Sequence, residues 1–201
     1  MPLEPSLDGG AALGLCRAKL DSLIGPTYTG SAARRIGRRT QGVVVDRAGV
    51  YDWDVANIGD AAPTYVFPVT AEAVSGYCLA ARYENLVYTN QPAAREAGLP
   101  GIIAPPAMVL AYAPVRLAEV AAARGLELPD GLQGECRCAA LAELAIEFQG
   151  ELVVPGDVIT SVTSVSHKFQ NESGRFITFQ VASRNQLGLP VAEYSCTLRW
   201  P

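Results

Sequence analysis

The amino-acid sequence predicts an α+β chain in which an antiparallel sheet wraps around a central apolar helix. Three observations carry this prediction. Residues from Leu141 to Trp200 are rich in β-branched and aromatic side chains and are cut by three turn signals. The segment "AMVLAYAPVRLAEVAAARG", from Ala107 to Gly125, is alanine-rich and, in its first half, apolar on nearly every side. A helix of that kind is expected to be buried all round. Ahead of it stand one short strand and short helices. A sheet that curls around the apolar helix buries all of its circumference in one economical packing.

The elements follow in order. Residues 1–62 read as an N-terminal extension packing on a single domain of residues 63–201. Within the extension, "GLCRAKLDSLIG" predicts a short helix ended by Gly25 and Pro26. "SAARRIGRRT" is a basic cluster, and "QGVVVD" after it reads as a strand. "NIGDAAP" reads as a turn around Gly59 and Asp60. "YVFPVT" predicts a short strand, after which Thr70 caps a helix from about Ala71 to Arg82, with Glu72 in its first turn near the positive end of the dipole. "NQPAAREAGL" predicts a short helix capped by Asn90 and stopped by Gly98. The apolar helix comes next, kinked at Pro114 and ended by Gly125. The last part reads as three or four long strands in an antiparallel meander, turning at "PGD", "NESG" and "NQLG". In "FITFQVA", Ile177, Phe179 and Val181 face one way and Phe176, Thr178 and Gln180 the other. This is the hot-dog arrangement.

Bulk properties narrow the function. The 201 residues are 49% hydrophobic and 18% charged, ordinary for a globular protein with a sizeable core. A net charge of −4 gives no reason to expect nucleic-acid binding. The richest apolar run, Gly101 to Val115, is too short for a membrane span and is broken by prolines. "MPLEPSLDGG" lacks the basic start and apolar block of a secretory signal. The expectation is a cytoplasmic protein with no membrane partner. Five cysteines at irregular spacing argue against a disulfide framework. Cys136 and Cys138 in "CRC" have no second pair and no nearby histidine, so no metal site is expected.

Three stretches carry a resemblance. "YCLAARYENLVYTNQPAAREAG" sits where the MaoC-like hydratase/dehydratase family has an alanine-rich helix, then Gly-Asp-x-Asn-Pro-x-His, then an Ala-Ala-Arg-x-Ala-Gly helix. "GIIAPPAM" is similar to a loop of its N-terminal, fatty-acid-synthase-type dehydratase branch. "VVPGDVITSVTSV" and "FQVASRNQLGLPVAEYSCTLRW" resemble the family's closing strand, turn and strand. The resemblance spans roughly Tyr65 to Trp200. It implies the hot-dog fold, acyl thioesters of coenzyme A or acyl carrier protein as substrates, and reversible water addition across a 2-enoyl thioester without a cofactor. It also implies an aspartate and a histidine that hold the water, and a backbone N–H at the start of the buried helix that polarises the carbonyl.

Laid without a gap on this chain, the motif puts Tyr83 at the aspartate and Tyr88 at the histidine. Asn85 keeps the asparagine and Leu86 replaces the proline. The glycine of the second motif falls near Pro106, which has no N–H, leaving Ala107 as the nearest donor beside Ala104 of the same loop. A phenol with an ordinary pKa near 10 is a poor base at neutral pH and a passable acid or hydrogen-bond donor. Tyr83, Asn85 and Tyr88 are therefore the candidate catalytic residues, and Ala104 and Ala107 the candidate substrate-binding residues. Arg34 and Arg38 are candidates to grip the phosphates of the carrier, or else form a solvated basic surface. Glu84 is the only carboxylate within the motif, and the lone histidine, His167, reads as an exposed residue near a strand end. Two functions stay open: a hydratase or dehydratase with a rebuilt site, and a non-catalytic acyl-binding subunit paired with a catalytic hot-dog chain. Under either, a homodimer or heterodimer with another hot-dog subunit covers the exposed sheet edge.

Overall fold

The computed structural model describes residues 49–132 and 140–201. The extension's predicted helix and strand, its arginine cluster and Cys16, Cys136 and Cys138 lie outside the described residues. Five strands form one antiparallel sheet: β1 (Tyr65–Pro68), β2 (Ala140–Phe148), β3 (Val158–Asn171), β4 (Gly174–Arg184) and β5 (Pro190–Trp200). Their order is β1-β3-β4-β5-β2. The meander therefore holds for β3, β4 and β5 alone. β2 does not pair with its sequence neighbour β3; it crosses to the far edge and pairs with β5. The "PGD" turn thus sits in a crossover, whereas "NESG" and "NQLG" join true hairpins. Gly174 and Gly188 in those hairpins have φ of 135° and 78°, which glycine adopts without a Cβ clash.

The concave face of the sheet holds the core. Ile177, Phe179 and Val181 of β4 are fully buried, as the alternation requires, and each contributes roughly 1.5–3 kcal/mol by leaving water. Ile159 and Val165 of β3 and Tyr194 and Trp200 of β5 are buried with them.

Four helices precede or cross this face: α1 (Ala71–Ala81), α2 (Gln91–Glu96), α3 (Val109–Tyr112) and α4 (Leu117–Ala123). The caps are those the sequence demands. Thr70 Oγ1 accepts from the Ala73 N–H at 3.1 Å, and Asn90 Oδ1 accepts from the Ala93 N–H at 2.9 Å. Gly98 follows α2 at φ 79°.

The apolar rod departs from expectation in two ways. It is not one kinked helix but a 3-10 turn (Pro106–Met108) running into α3, a break, and then α4. Proline removes a donor and forces the preceding residue out of the helical region; Ala113 sits at φ −137°, ψ 66°. The freed groups are satisfied from the sheet. Tyr194 donates to the Ala113 carbonyl at 2.5 Å. Thr163 donates to the Pro114 carbonyl at 3.3 Å and accepts from the Arg116 N–H at 3.4 Å. Nor is the rod buried all round. Met108, Val109, Tyr112, Ala113, Val120 and Ala121 are buried, while Pro106, Ala107, Ala122 and Ala123 are exposed, because one sheet covers one flank. The stretch Pro106–Ala123 does reach the length of a membrane span, at a mean hydropathy of 1.2, beyond the shorter run noted from sequence. Its break and its polar ties to β3 and β5 make it a core element of this fold.

Residues 49–62 lie along the open end of the sheet. Val50 bridges Glu127 just past α4, and Ala61 bridges Ser164 of β3. Tyr51 is fully buried, edge-on to Trp200 at 6.1 Å. The Lys168 ammonium donates to the Trp53 and Ala56 carbonyls at 2.7 and 2.9 Å and lies 4.4 Å from the centre of the Trp53 ring. A lysine on a strand thus holds this strap by both hydrogen bonds and a cation–π contact.

Candidate active site

The loop after α1 is built by a helix stop. Arg82 takes the left-handed conformation, φ 55° and ψ 41°, and its N–H bonds back to the Cys78 and Leu79 carbonyls. The Tyr83 N–H also bonds to the Cys78 carbonyl, at 2.9 Å. This double closure is a Schellman-type end that glycine usually makes, and Arg82 is the one non-glycine residue at positive φ among the described residues. A short 3-10 turn (Leu86–Tyr88) follows, capped by Asn85, whose Oδ1 accepts from the Val87 N–H at 3.1 Å. Together the two devices bring Tyr83 and Tyr88 onto one side of the loop.

Their rings meet edge to face, centroids 5.4 Å apart at 85°, and Tyr77 of α1 adds a third ring 6.2 Å from Tyr83. All three are half-buried and packed against the core. Neither the Tyr83 nor the Tyr88 hydroxyl has a hydrogen-bond partner in the described protein. The contrast with Tyr51 and Tyr194 is direct, since both of their hydroxyls are bonded within the fold. A phenol with an apolar body in the core and an uncommitted O–H is placed to meet a polar group from outside.

The other candidates divide. Asn85 is exposed and its side-chain oxygen is committed to the cap, leaving only its amide to donate. Glu84 is exposed. The Ala104 N–H is committed to the Val153 carbonyl at 2.7 Å, so what Ala104 offers is a buried methyl. Ala107 is exposed at the start of the rod. The 3-10 turn uses the N–H groups of Met108 and Val109, and no side chain caps it. The first N–H groups of a helix have no internal acceptor, so that of Ala107 has none within its own turn. Arg34 and Arg38 lie outside the described residues.

Alternative chemistries fare poorly. Burial raises the Cys78 thiol pKa and pushes that of Cys196 up to about 11, which disfavours the thiolate needed for a nucleophile. His167 is exposed and sits within β3 beside a bulge rather than at the strand end. Among the described residues, no three His, Cys, Asp or Glu side chains gather as metal ligands. Asp60 forms a turn, as expected, and is engaged on all sides. It accepts from the Tyr51 hydroxyl and the Asn57 N–H, each at 2.9 Å, and from Arg124 at 2.5 Å. Burial alone would raise its pKa, but these hydrogen bonds and the Arg124 charge outweigh that and hold it below the usual aspartate value. Tyr77 and Arg82 were missed from sequence. The gapless motif placement would have flagged Arg82, since it puts the motif's glycine there.

No curated protein matches the sequence. Solved structures match the fold. An archaeal protein from Archaeoglobus, named a monoamine oxidase regulatory protein, superposes with a TM-score of 0.58 at 18% identity, covering 75% of this chain and 95% of that one. The HadBC (3R-hydroxyacyl-ACP dehydratase) complex from Mycobacterium tuberculosis gives 0.54 at 17%, covering 70% and 95%. The (R)-hydratase from A. caviae involved in PHA biosynthesis gives 0.52 at 14%, covering 72% and 97%. A family model described as the FAS1-like dehydratase domain region matches residues 56–194. This match establishes that the chain belongs to the FAS1-like dehydratase domain family, and its sheet and rod share the hot-dog fold of the MaoC-like hydratases and dehydratases.

Proposed function

We propose that this chain acts on acyl thioesters, enoyl or 3-hydroxyacyl, carried by coenzyme A or an acyl carrier protein, in hydratase/dehydratase-type chemistry. The observation that carries the reading is the Tyr83–Tyr88 pair: two phenols held edge to face, their hydroxyls without a partner among the described residues. One phenol donates to the thioester carbonyl and withdraws charge from the double bond. The other holds the incoming water; in the reverse direction it protonates the departing hydroxyl, and the phenolate so formed takes the proton from the carbon next to the carbonyl, which restores the phenol as water leaves. The N–H of Ala107, with no acceptor in its own turn, is the natural second donor to the carbonyl oxygen. The site supplies donors and no strong base: loop residues 82–90 contain no aspartate or histidine. Turnover is therefore expected to be slower than where such a base is present. The test is conversion of crotonyl-type and longer enoyl thioesters by the purified chain. Turnover that falls with Tyr88→Phe in a folded protein supports the reading. Equal rates in the two proteins would remove Tyr88 from the mechanism.

A second reading, a non-catalytic acyl-binding subunit, rests on β2. This nine-residue edge strand carries exposed Leu141, Leu144 and Phe148. A long apolar edge is a template for pairing with another chain. Turnover only when a hot-dog chain bearing Asp-x-Asn-Pro-x-His is added would favour this reading over the first.

A further inference from the structure

We infer that Arg82 reads a phosphate on the pantetheine-bearing carrier at the mouth of the tyrosine site; the inference rests on the acyl-thioester reading. The position is unfavourable for arginine. A left-handed backbone brings Cβ too close to the carbonyl, and glycine is the residue that ends helices there at no such penalty. The geometry is imposed by the hydrogen bonds from the Arg82 and Tyr83 N–H groups to the Cys78 carbonyl, so the chain does not relax away from it. What arginine adds over glycine is its side chain. That side chain is exposed, and among the described residues no carboxylate pairs with it. The other arginines near the rod are tied down: Arg116 to Glu119 at 2.7 Å, and Arg124 to Asp60. Arg82 is thus an open guanidinium fork adjoining Tyr83 in the chain, its root fixed by two backbone bonds. A planar fork of donors matches phosphate oxygens in bidentate fashion. The negative end of α1 favours a cation here as well, but lysine would serve that role equally, and this separates the two explanations.

The test measures binding of three saturated acyl thioesters to the full chain and to Arg82→Gly and Arg82→Lys, at low and high salt. The ligands are acyl-coenzyme A, acyl-phosphopantetheine with one phosphate, and acyl-pantetheine with none. Arg82→Gly is expected to melt at or above the wild-type temperature. It should lose about tenfold in affinity for the phosphate-bearing ligands, and little for acyl-pantetheine. Arg82→Lys is expected to lie between, and the difference is expected to shrink in salt. A loss for both phosphate-bearing ligands assigns the phosphate shared by coenzyme A and carrier protein, and a loss for acyl-coenzyme A alone assigns the nucleotide phosphates. Equal affinities in wild type and Arg82→Gly, or an equal loss for all three ligands, overturns the inference while leaving the thioester reading intact. Wild-type protein that binds none of the three overturns both.

Discussion

Two regions of this molecule treat tyrosine in opposite ways. At the strap end, Tyr51 is fully buried and its hydroxyl is bonded to Asp60, which is bonded in turn to Asn57 and Arg124. The Tyr51 hydroxyl and the Asp60 carboxylate are both engaged there, and burial together with the Asp60 contact raises the Tyr51 pKa strongly. At the loop after α1, Tyr83 and Tyr88 are half-buried, touch each other through their rings, and have no hydroxyl partner among the described residues. The first arrangement is what stability selects, because buried polar groups without partners are costly. The second contributes less to stability than it could, which is characteristic of sites that wait for a ligand. The same residue type therefore serves structure in one region and, on the function proposed above, chemistry in the other.

Substitutions break this comparison at each end. The largest effect belongs to the open pair. Replacing both Tyr83 and Tyr88 with phenylalanine is expected to lower enoyl-thioester turnover by about 100-fold. It should leave thermal stability nearly unchanged, since neither hydroxyl has a partner to lose among the described residues; steady-state kinetics beside a melting curve checks this. At the closed end, Asp60→Asn is expected to do the reverse. It weakens the Arg124 contact in a largely buried site and costs about 2 kcal/mol, a fall in Tm of roughly 5 °C. The pH dependence follows from the sign of the shift. The folded pKa of Asp60 is lowered, so its contribution is complete above the ordinary aspartate value of 3.8 and is lost as pH falls through the lower, folded value. Asp60→Asn should remove that part of the acid transition while leaving the neutral range parallel to wild type.

Two smaller effects sharpen the contrast. Arg82→Gly relieves the left-handed strain and is expected to stabilise the fold by about 1 kcal/mol, read by denaturant titration. Ser161 on the concave face of β3 is 3% exposed with an unpartnered hydroxyl, the kind of group that costs stability without returning any. Ser161→Ala is expected to be neutral or stabilising by up to about 1 kcal/mol on the same titration. A loss would mean that the hydroxyl has a role absent from this account.

The sequence told most where local chemistry decides the outcome. Thr70 and Asn90 announce their helices because a side-chain oxygen three residues ahead of a free N–H is a local event. The burial of Ile177, Phe179 and Val181 follows from simple alternation. The pairing of β2 with β5 was not legible, since Leu144 opposite Cys196 is a contact between distant segments and the apparent turn at "PGD" suggested a hairpin. The break in the rod was half legible. Pro114 foretold a disturbance, but the hydroxyls that convert a kink into a full break come from Thr163 and Tyr194, far along the chain. At the site, the motif placement picked out Tyr83 and Tyr88 and missed that Asn85 is used as a cap. Tyr77 joins the other two rings only once α1 has formed and stopped at Arg82.

The most direct test of the central claim is a crystal structure of the chain with a non-hydrolysable enoyl-thioester analogue bound. The account predicts the Tyr83 and Tyr88 hydroxyl oxygens within about 3 Å of the thioester carbonyl or of the water facing the double bond. An analogue seated elsewhere, or phenols turned away from it, would contradict the account.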